Sequence, residues 1–506
     1  MDANIPKCAQ VLRALLFAVL LCAGLASHAS LDAERFTSMV RQGMADWQIP
    51  GLGIAVIEAG EVVYTRGFGE TSLVNGKRVD NSTYFINAST TKAMVAAGLL
   101  ILVDEGRVTL DDLLIDHVPE IHFGDPALTQ QVTLRDLLTH RTGLPSTDFW
   151  TFNQGMPLTD QLPRLRAVEP VAAPRARKLY QNTMYELVGL VIERTAGEPW
   201  EVFLERRLWS PIGMGTVASR DAIPSAAMRA QPFDVIDDEP RRVNHSLRGP
   251  VSDAAGSAWS SIGDMVLWIK FLLRGGVTQD GERLLSVDAI EEMFKPQQLV
   301  RKEDYYPTAA LTDPNWISYG LGWYQQDFQG RKIDYHTGSL NGASAMVGID
   351  RTADRGIVML ANRGGAELRH ALLWSVMDTR KQLDQRDWLN DVLALYDARI
   401  GARRERRARI EAGRLDAPPS LPLKAYAGRF DSERGGPLEL TPDGDGLRLN
   451  TLVRTYRLTP WHADTFQMSH ADWENSSFVR FSLTPAGAID GLEAFGMQFH
   501  RVGKPR

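Results

Sequence analysis

Apolar residues recur along the chain at two spacings, one typical of strands and the other of helices. Residues 49–69 (IPGLGIAVIEAGEVVYTRGFG) contain two β-branched runs joined around Ala59-Gly60, which is typical of a β-hairpin. Residues 343–349 and 356–361 are also strand-like. Helical spacing of apolar residues predicts helices at residues 31–47, 89–105, 184–195, 262–273 and 367–377, and one ended by a Gly/Pro turn within 134–145. Strands near both ends with helices between them predict an α/β (α+β) layered domain whose sheet is completed by both chain termini.

The pattern changes after Asp378. Residues 381–414 are helical and heavily charged, and their basic run ARRERRAR (402–409) is interrupted by Glu405. Such a run favours a solvated linker over a surface that binds anions. APPSLP (417–422) ends the helix, and the short alternating runs beyond it predict a small antiparallel sandwich or barrel. We therefore predict a first domain over residues 31–380, a charged helical linker over 381–422 and a β-domain over 423–506.

The first residues have the layout of a secretory signal peptide. Lys7 and Arg13 precede the uncharged run 14–26, and small residues follow at 27–29. We expect residues 1–29 to be removed and the protein to be exported to the periplasm or secreted, without stable membrane insertion; the alternative is an uncleaved anchor. Since the only cysteines, Cys8 and Cys22, lie in this segment, the mature chain would have no disulfide, no thiol nucleophile and no thiolate metal site.

Composition narrows the class of protein. A chain of 506 residues with 44% hydrophobic and 23% charged residues is typical of a soluble globular protein of two or three domains. The net charge of −6 gives no reason to expect nucleic acid as a partner.

The stretch FINASTTKAM (85–94) holds the first candidate for chemistry. Ser89 and Lys92 are three residues apart at a helix start, so the lysine side chain can reach the serine hydroxyl. Apolar neighbours disfavour the charged amine, lower its pKa and make it a usable base. The alternative is that Ser89 simply caps the helix. By itself the pair does not decide between a cap and a nucleophile.

Two further short motifs carry polar groups at the edges of regular elements. Tyr180 and Asn182 stand just before a helix; a tyrosine can shuttle a proton if cations lower its pKa, and an asparagine amide can bond a substrate carbonyl. His336, Thr337 and Gly338 precede a strand, where the glycine would let a substrate backbone approach closely. The alternatives are a buried tyrosine with an asparagine cap, and an ordinary glycine turn.

Together and in this order, the three motifs resemble the active site of the penicillin-recognising serine hydrolases, in particular the branch of class C β-lactamases, esterases and D-aminopeptidases. The resemblance covers roughly residues 31–380, and its other matches are LLTHRTGLP (137–145), AAGSAWSSIGDMVLW (254–268), YGLGW (319–323) and IVMLANR (357–363). It implies a β-lactamase-like three-layer sandwich with an antiparallel sheet and a helical subdomain. Residues 423–502 resemble the lipocalin-like β-domain of some members.

The resemblance assigns roles to these residues. Ser89 is the nucleophile, Lys92 the base, Tyr180 the proton shuttle and Asn182 a substrate ligand. The backbone N–H groups of Ser89 and Ser339 form the oxyanion hole, a device worth several kcal/mol. The resemblance implies no metal and no organic cofactor. The partner it implies is a small-molecule ester, amide or short peptide substrate.

His336 bears on the substrate. Many family members have lysine at this position, where its charge holds the substrate carboxylate of β-lactams. A histidine is mostly neutral at pH 7, so we expect an esterase or amidase resembling the D-aminopeptidases. The alternatives are a β-lactamase or DD-carboxypeptidase, and a sensor that is acylated without turnover.

Two regions outside the motifs also carry expectations. Phe149, Trp150 and Phe152 follow the Leu-Pro loop and are candidates for an apolar acyl pocket, or else for a buried aromatic cluster. The C-terminal β-domain should carry no chemistry of its own. We expect it to shape access to the site or to mediate formation of a homo-oligomer.

Overall fold

The computed structural model describes residues 31–244, 253–380, 386–472 and 477–503. The expected signal peptide, residues 1–29, lies outside them. The strands are β1 (Gly51–Glu58), β2 (Glu61–Gly69), β3 (Phe85–Ile86), β4 (Phe233–Ile236), β5 (Glu239–Arg242), β6 (Trp259–Ser260), β7 (Gln298–Leu299), β8 (Ile317–Tyr319), β9 (Tyr324–Phe328), β10 (Arg331–Leu340), β11 (Ala343–Asp350), β12 (Arg355–Ala361), β13 (Gly428–Ser432), β14 (Gly436–Asp443), β15 (Gly446–Asn450), β16 (Thr455–His462), β17 (Thr465–Ser469), β18 (Ser477–Leu483), β19 (Ile489–Ala494) and β20 (Met497–Val502).

The α-helices are α1 (Ala33–Asp46), α2 (Thr91–Asp104), α3 (Leu114–His117), α4 (Pro126–Thr129), α5 (Leu134–Leu138), α6 (Leu158–Gln161), α7 (Asn182–Ala196), α8 (Trp200–Leu204), α9 (Ser210–Ile212), α10 (Ile262–Leu273), α11 (Val287–Phe294), α12 (Ala309–Thr312), α13 (Leu368–Met377) and α14 (Trp388–Ala412). Short 3-10 turns occupy Ala88–Thr90, Leu162–Ala167, Arg220–Ala222, Lys302–Asp304 and Leu423–Ala425, and π-helical turns occupy Trp150–Gln154 and Glu205–Trp209. Over the described ranges, no helix combines the length and the apolar character needed to cross a membrane.

The main sheet has eight strands in the order β2-β1-β12-β11-β10-β9-β8-β7, and its pairs are antiparallel. The hairpin β1–β2 from the start of the chain pairs through β1 with β12, some 300 residues later. This confirms the prediction that strands from both ends complete one sheet. Strand β10, which carries the His-Thr-Gly motif, lies in the interior of the sheet between β9 and β11.

Alternation along β1 explains the layers on the two faces of the sheet. Leu52, Ile54 and Val56 belong to one apolar core, with residues of α1, α13 and the start of α14. Ala55 and Ile57 belong to a second core on the opposite face, with residues of α2 and α10. Because successive side chains of a strand point to opposite faces, one strand serves both cores. The result is the predicted three-layer arrangement.

Helix α2 lies inside the second core. Every residue from Thr91 to Leu102 is buried, including Lys92. A helix that is apolar on all sides is stable only when it is surrounded by other elements. The apolar run that follows Ser89 therefore creates the environment in which Lys92 must lie.

Strands β13 to β20 form a closed antiparallel barrel, with β20 paired to β13. Alternate residues such as Leu438 and Leu440, or Leu447 and Leu449, fill its interior. Of the two architectures predicted for this region, the barrel is therefore the correct one. In the preceding helix α14 only the first turns are buried, and the basic run 402–409 is exposed, as expected of a solvated face.

Two helix predictions need correction. The helix expected within residues 134–145 is only α5, because His140 adopts the left-handed region with φ of 54°. Ser89 lies in a 3-10 turn that precedes α2 rather than in the α-helix itself. In both places a polar residue of a motif lies where regular helix geometry is interrupted.

Candidate active site

The turn that carries Ser89 is held from both sides. The Asn87 backbone N–H donates to Ala258 O at 2.7 Å, and its side-chain Nδ2 donates to Ser260 Oγ at 2.8 Å. Ala88 has a φ of 46°, and a left-handed conformation costs a non-glycine residue about 1–2 kcal/mol. The surrounding hydrogen bonds stabilise this strained turn, and it leaves Ser89 partly exposed between buried neighbours.

Ser89 does not cap the helix. The N-cap position of α2 is Thr90, and no side chain caps that end. The Ser89 hydroxyl instead lies 3.1 Å from Lys92 Nζ. This contact favours the nucleophile over the cap.

Lys92 Nζ has three polar contacts and no exposure to solvent. Besides Ser89, it donates to Asn182 Oδ1 and to Ala255 O, both at 2.7 Å. Burial lowers the pKa of Lys92 to about 7, although the negative charges of Asp253 and Asp148 act in the opposite direction. A neutral amine has two N–H groups and one lone pair, which fit the two carbonyl acceptors and the Ser89 hydroxyl. The site therefore holds a base that can accept the serine proton at neutral pH.

Asn182, the first residue of α7, is oriented by a second contact. Its Nδ2 donates to Asp148 Oδ1 at 2.9 Å, which leaves its Oδ1 facing Lys92. An amide that donates on one side and accepts on the other has one preferred orientation. Asn182 is thus part of the lysine site and not a helix cap.

Tyr180 lies beside Lys92, whose Nζ is 4.9 Å from the centre of the tyrosine ring. Its expected role as a proton shuttle is conditional on cations that lower its pKa, and this condition is not met. Burial, the largest effect, raises the pKa of Tyr180 well above 10, while the nearby Ser89 hydroxyl acts in the opposite direction without a hydrogen bond of regular geometry. Tyr180 therefore remains a phenol at neutral pH and can give a proton to a leaving group.

His336 is buried and neutral. Its Nδ1 donates to Thr337 O at 2.7 Å, and its Nε2 accepts from the Tyr319 hydroxyl at 3.0 Å. Burial is the main reason that the pKa of His336 falls to about 3, and the positive charge of Lys92 adds to the effect. A lysine at this position would supply a charge that His336 cannot supply.

Gly338 has a packing role besides the expected one, which stays a prediction. A Cβ atom there would lie 2.4 Å from Asn87 O and 3.0 Å from the Ser89 N atom. The glycine is therefore needed for strand β10 to pack against the nucleophile turn, before any substrate binds. It fixes the distance between the two halves of the site.

The N–H of Ser339 faces the cavity side of β10. Strand β9 pairs with β10 only as far as Tyr335, and the next N–H on that side, from Thr337, donates to the Tyr306 hydroxyl at 3.3 Å. Alternate N–H groups of a strand share a side, so the Ser339 N–H points the same way beyond the end of β9. This is the orientation that the oxyanion role requires, and the role itself stays a prediction.

These groups surround a cavity of about 300 Å³. Its walls bring together the three motifs with residues from four other segments: Ala88, Ser89, Asp148, Phe152, Tyr180, Asn182, Asp253, Ala255, Gly256, Tyr306, Tyr324, His336, Thr337, Ser339 and Leu340. Of the three aromatic candidates for an acyl pocket, Phe152 lines the cavity. Phe149 packs against Phe495 of the barrel, and Trp150 is buried with its indole N–H bonded to Arg434 O.

A family model described as Beta-lactamase matches residues 36–379. The chain belongs to the Beta-lactamase family. A second model, Domain of unknown function (DUF3471), matches residues 413–504, the part of the chain that forms the eight-stranded barrel. The protein is therefore a β-lactamase-family hydrolase with a C-terminal DUF3471 barrel.

Curated relatives and solved structures agree with this placement. The Unguisins hydrolase ungD of Aspergillus violaceofuscus (strain CBS 115571) is 27% identical over 503 residues, which cover 90% of this chain and 86% of that protein. Protein flp of Staphylococcus aureus (strain N315) is 22% identical over 343 residues, 65% of this chain and 63% of that protein. The octameric penicillin-binding protein homologue from Pyrococcus abyssi shares the fold, with a TM-score of 0.62, 21% identity and coverage of 93% and 100%.

In this family hydrolase the geometry supports acyl transfer. In the expected roles, Ser89 Oγ would attack a carbonyl carbon and pass its proton to Lys92, while the N–H groups of Ser89 and Ser339 would face the developing oxyanion. Tyr180 would protonate the leaving group as the tetrahedral intermediate collapses to an ester of Ser89. Water would then release the acyl group by the reverse sequence of proton transfers. No group of three or more His, Cys, Asp or Glu residues suited to a metal ion occurs in the described parts of the chain.

Sequence reasoning missed some residues and contacts of the site. Lys178 Nζ lies 4.9 Å from the Tyr180 ring centre and bonds the Tyr324 hydroxyl, and burial lowers its pKa to about 7. The sequence could have indicated Lys178, because Lys178, Tyr180 and Asn182 are each two residues apart and such residues lie on one face of an extended stretch. Tyr306 comes from a stretch without a motif, and only the tertiary fold brings it to the cavity. Asp148 belongs to the stretch expected near the site, but its bond to Asn182 was not foreseen.

Replacement of the nucleophile gives the first test. We expect Ser89→Ala to abolish covalent labelling by a fluorophosphonate probe and all hydrolysis, with nearly unchanged Tm, because Lys92 keeps its bonds to Asn182 and Ala255. The control is Ser375→Ala in α13, a serine remote from the cavity, which should label normally. Labelling of the Ser89→Ala protein at another residue would rule out Ser89 as the nucleophile.

The pKa of Lys92 gives the second test. Because the neutral amine is the base, kcat/KM for p-nitrophenyl acetate should rise with pH through a midpoint near 7 and level off above it. Lys92→Arg, which stays protonated, should lose about 10²- to 10⁴-fold in rate. Lys178→Met should retain the rise, since Lys178 does not contact Ser89. A flat wild-type profile, or loss of the rise in Lys178→Met, would contradict the assignment.

Proposed function

We propose that this hydrolase cleaves amide bonds in small peptides through an acyl-enzyme on Ser89, and that its substrates lack a carboxylate next to the scissile bond. The observation that carries the proposal is the neutral, buried His336 in the cavity wall. The resemblance places a charged lysine there in members that bind the carboxylate of β-lactams. A substrate carboxylate would find no compensating charge at this position.

The rest of the cavity wall supports the same preference. Among its described residues are two carboxylates, Asp148 and Asp253, and no lysine or arginine. The two buried lysines behind the wall have pKa values of about 7 and are only partly charged at neutral pH. The Arg369 guanidinium also lies behind the wall, where it donates to Gly338 O and Ser339 Oγ, and its charge is paired with Glu367. An acyl group that bears an amine would meet opposite charge, whereas a carboxylate would meet like charge. This favours D-aminoacyl amides over penicillins and cephalosporins.

Tyr180 supports amides as the bond class. An amine is a poor leaving group unless it is protonated as the bond breaks, whereas a phenolate or alcohol leaves more easily. Burial keeps the Tyr180 phenol protonated beside Ser89, so a proton donor is in place for a leaving nitrogen. Esters would still be cleaved, because the nucleophile and the oxyanion site serve both.

The relatives bear on turnover. The Unguisins hydrolase, by its name, releases its product, and it aligns with 90% of this chain. This similarity supports hydrolysis over a sensor that stays acylated. It also supports activity of the full two-domain chain, because the alignment extends beyond the catalytic domain.

A substrate panel tests the proposal. We expect kcat/KM for D-aminoacyl p-nitroanilides and simple esters to exceed that for nitrocefin by about ten- to a hundredfold, the effect of one missing charge-assisted hydrogen bond. His336→Lys should shift the ratio toward nitrocefin, with Tm measured to exclude unfolding, and Ser375→Ala should leave the ratio unchanged. A wild-type preference for nitrocefin would replace this assignment by β-lactamase. A burst of one equivalent without turnover would replace it by a sensor.

Two further features stand as part of the proposal. The signal-like sequence at residues 1–29 supports export. Self-association through the C-terminal domain stays a prediction, in line with the octameric assembly of the Pyrococcus abyssi homologue.

A further inference from the structure

The barrel contacts the part of the active-site wall formed by residues 148–154, which we call the wall segment. Asp148 and Phe152 of this segment line the cavity. Phe149, Trp150, Asn153 and Gln154 of the same segment contact the barrel. Thr151 instead donates to the buried carboxyl group of Glu186 in the catalytic domain. The same short stretch of chain is therefore bound to both domains.

Gln154 makes the most complete of these contacts. It is fully buried; its Nε2 donates to Gly435 O and Pro437 O, and its Oε1 accepts from Leu452 N, each at 3.0 Å. One side chain thus bonds two separate turns of the barrel, before β14 and after β15. These three bonds use both N–H groups and the oxygen of the side-chain amide, so they hold Gln154 in one orientation.

Backbone groups of the wall segment bond the barrel as well. Arg454 Nε donates to Phe152 O, and Thr451 Oγ1 donates to Asn153 O at 2.6 Å. Asn153 Nδ2 in turn donates to the Tyr456 hydroxyl at 2.6 Å. The first two bonds provide hydrogen-bond donors for the backbone carbonyl groups of Phe152 and Asn153.

The segment needs this support because of its conformation. Trp150–Gln154 form a single π-helical turn that ends at Gly155 with a φ of 57°. Such turns are rare, are found as isolated turns, and occur frequently at functional sites. Contacts to the barrel supply the stability that an isolated turn lacks.

The wall segment is connected to the catalytic lysine. Asp148 accepts from Asn182 Nδ2, and this bond leaves Asn182 Oδ1 as an acceptor for Lys92. A shift of Asp148 would release the asparagine amide and change the hydrogen bonding of the base. A shift of Phe152 would change the volume open to the acyl group.

We propose that the DUF3471 barrel is a positioning domain for the hydrolase site, with Gln154 as the positioning residue. The barrel holds the wall segment and so fixes the position of Asp148, which orients Asn182 and thereby influences the protonation of Lys92. It also fixes the position of Phe152, which limits the size of the acyl group that the cavity accepts. The proposal concerns any acyl substrate of Ser89. It is therefore tested with p-nitrophenyl esters of short and long acids, independently of the preference for amides.

The test uses the full chain and compares two contacts to the same barrel. Gln154→Met keeps the volume and removes all three bonds. Arg164→Met is the matched control, because Arg164 Nη1 donates to Glu433 O at 2.8 Å but lies in the turn 162–167, outside the wall segment. Phe152→Leu is a third variant that changes the wall without the barrel contact.

We expect Gln154→Met to retain fluorophosphonate labelling. Its kcat/KM for esters should fall about ten- to a hundredfold, and the midpoint of its pH profile should move away from about 7. Its discrimination between short and long acyl groups should weaken. Arg164→Met should also retain labelling, and it should show none of the other three changes. Phe152→Leu should alter acyl discrimination and leave the pH midpoint in place. A Gln154→Met protein with lower Tm but unchanged midpoint and acyl discrimination would overturn the proposal, as would equal shifts of both in Arg164→Met.

Discussion

The site depends on one buried amine. Lys92 lies in a helix that is enclosed by apolar residues, and an ammonium ion without solvent is unstable unless it is fully bonded. The protein meets this constraint with two carbonyl acceptors, from Asn182 and Ala255, and with the hydroxyl of Ser89. Those three partners come from three separate parts of the chain. The position of α7, the Ala254–Ser257 turn and the nucleophile turn are therefore linked through a single nitrogen atom.

Burial also favours the neutral form of the other ionisable groups of the site. The pKa of His336 falls to about 3 and that of Tyr180 rises well above 10, so both are neutral at physiological pH. The protein sets these charge states mainly by excluding water, and only secondarily by ion pairs. Close packing is what excludes water here, and Gly338 shows how close it is, since even a methyl group at that position would overlap the Asn87 carbonyl.

Local patterns in the sequence were sufficient for much of this structure. The hairpin at residues 49–69 and the helices near 262–273 and 367–377 follow from the spacing of their apolar residues. The contact between Ser89 and Lys92 follows from their separation of three residues. What could not be predicted depends on distant parts of the chain. Tyr306 reaches the cavity, and Asp148 reaches Asn182, only through the fold. The direction of the Tyr180 pKa shift depends on how many neighbours bury it. The role of Gly338 is also tertiary, because the atom it must avoid belongs to Asn87.

The measurement that tests this account most directly is the pKa of Lys92 itself, by NMR titration of the chain with ¹³C-labelled lysine side chains. Comparison with Lys92→Met and Lys178→Met identifies the two buried signals. The account predicts that the signal lost in Lys92→Met titrates near 7. A Lys92 signal that titrates near 10.5, as an exposed lysine does, would contradict it.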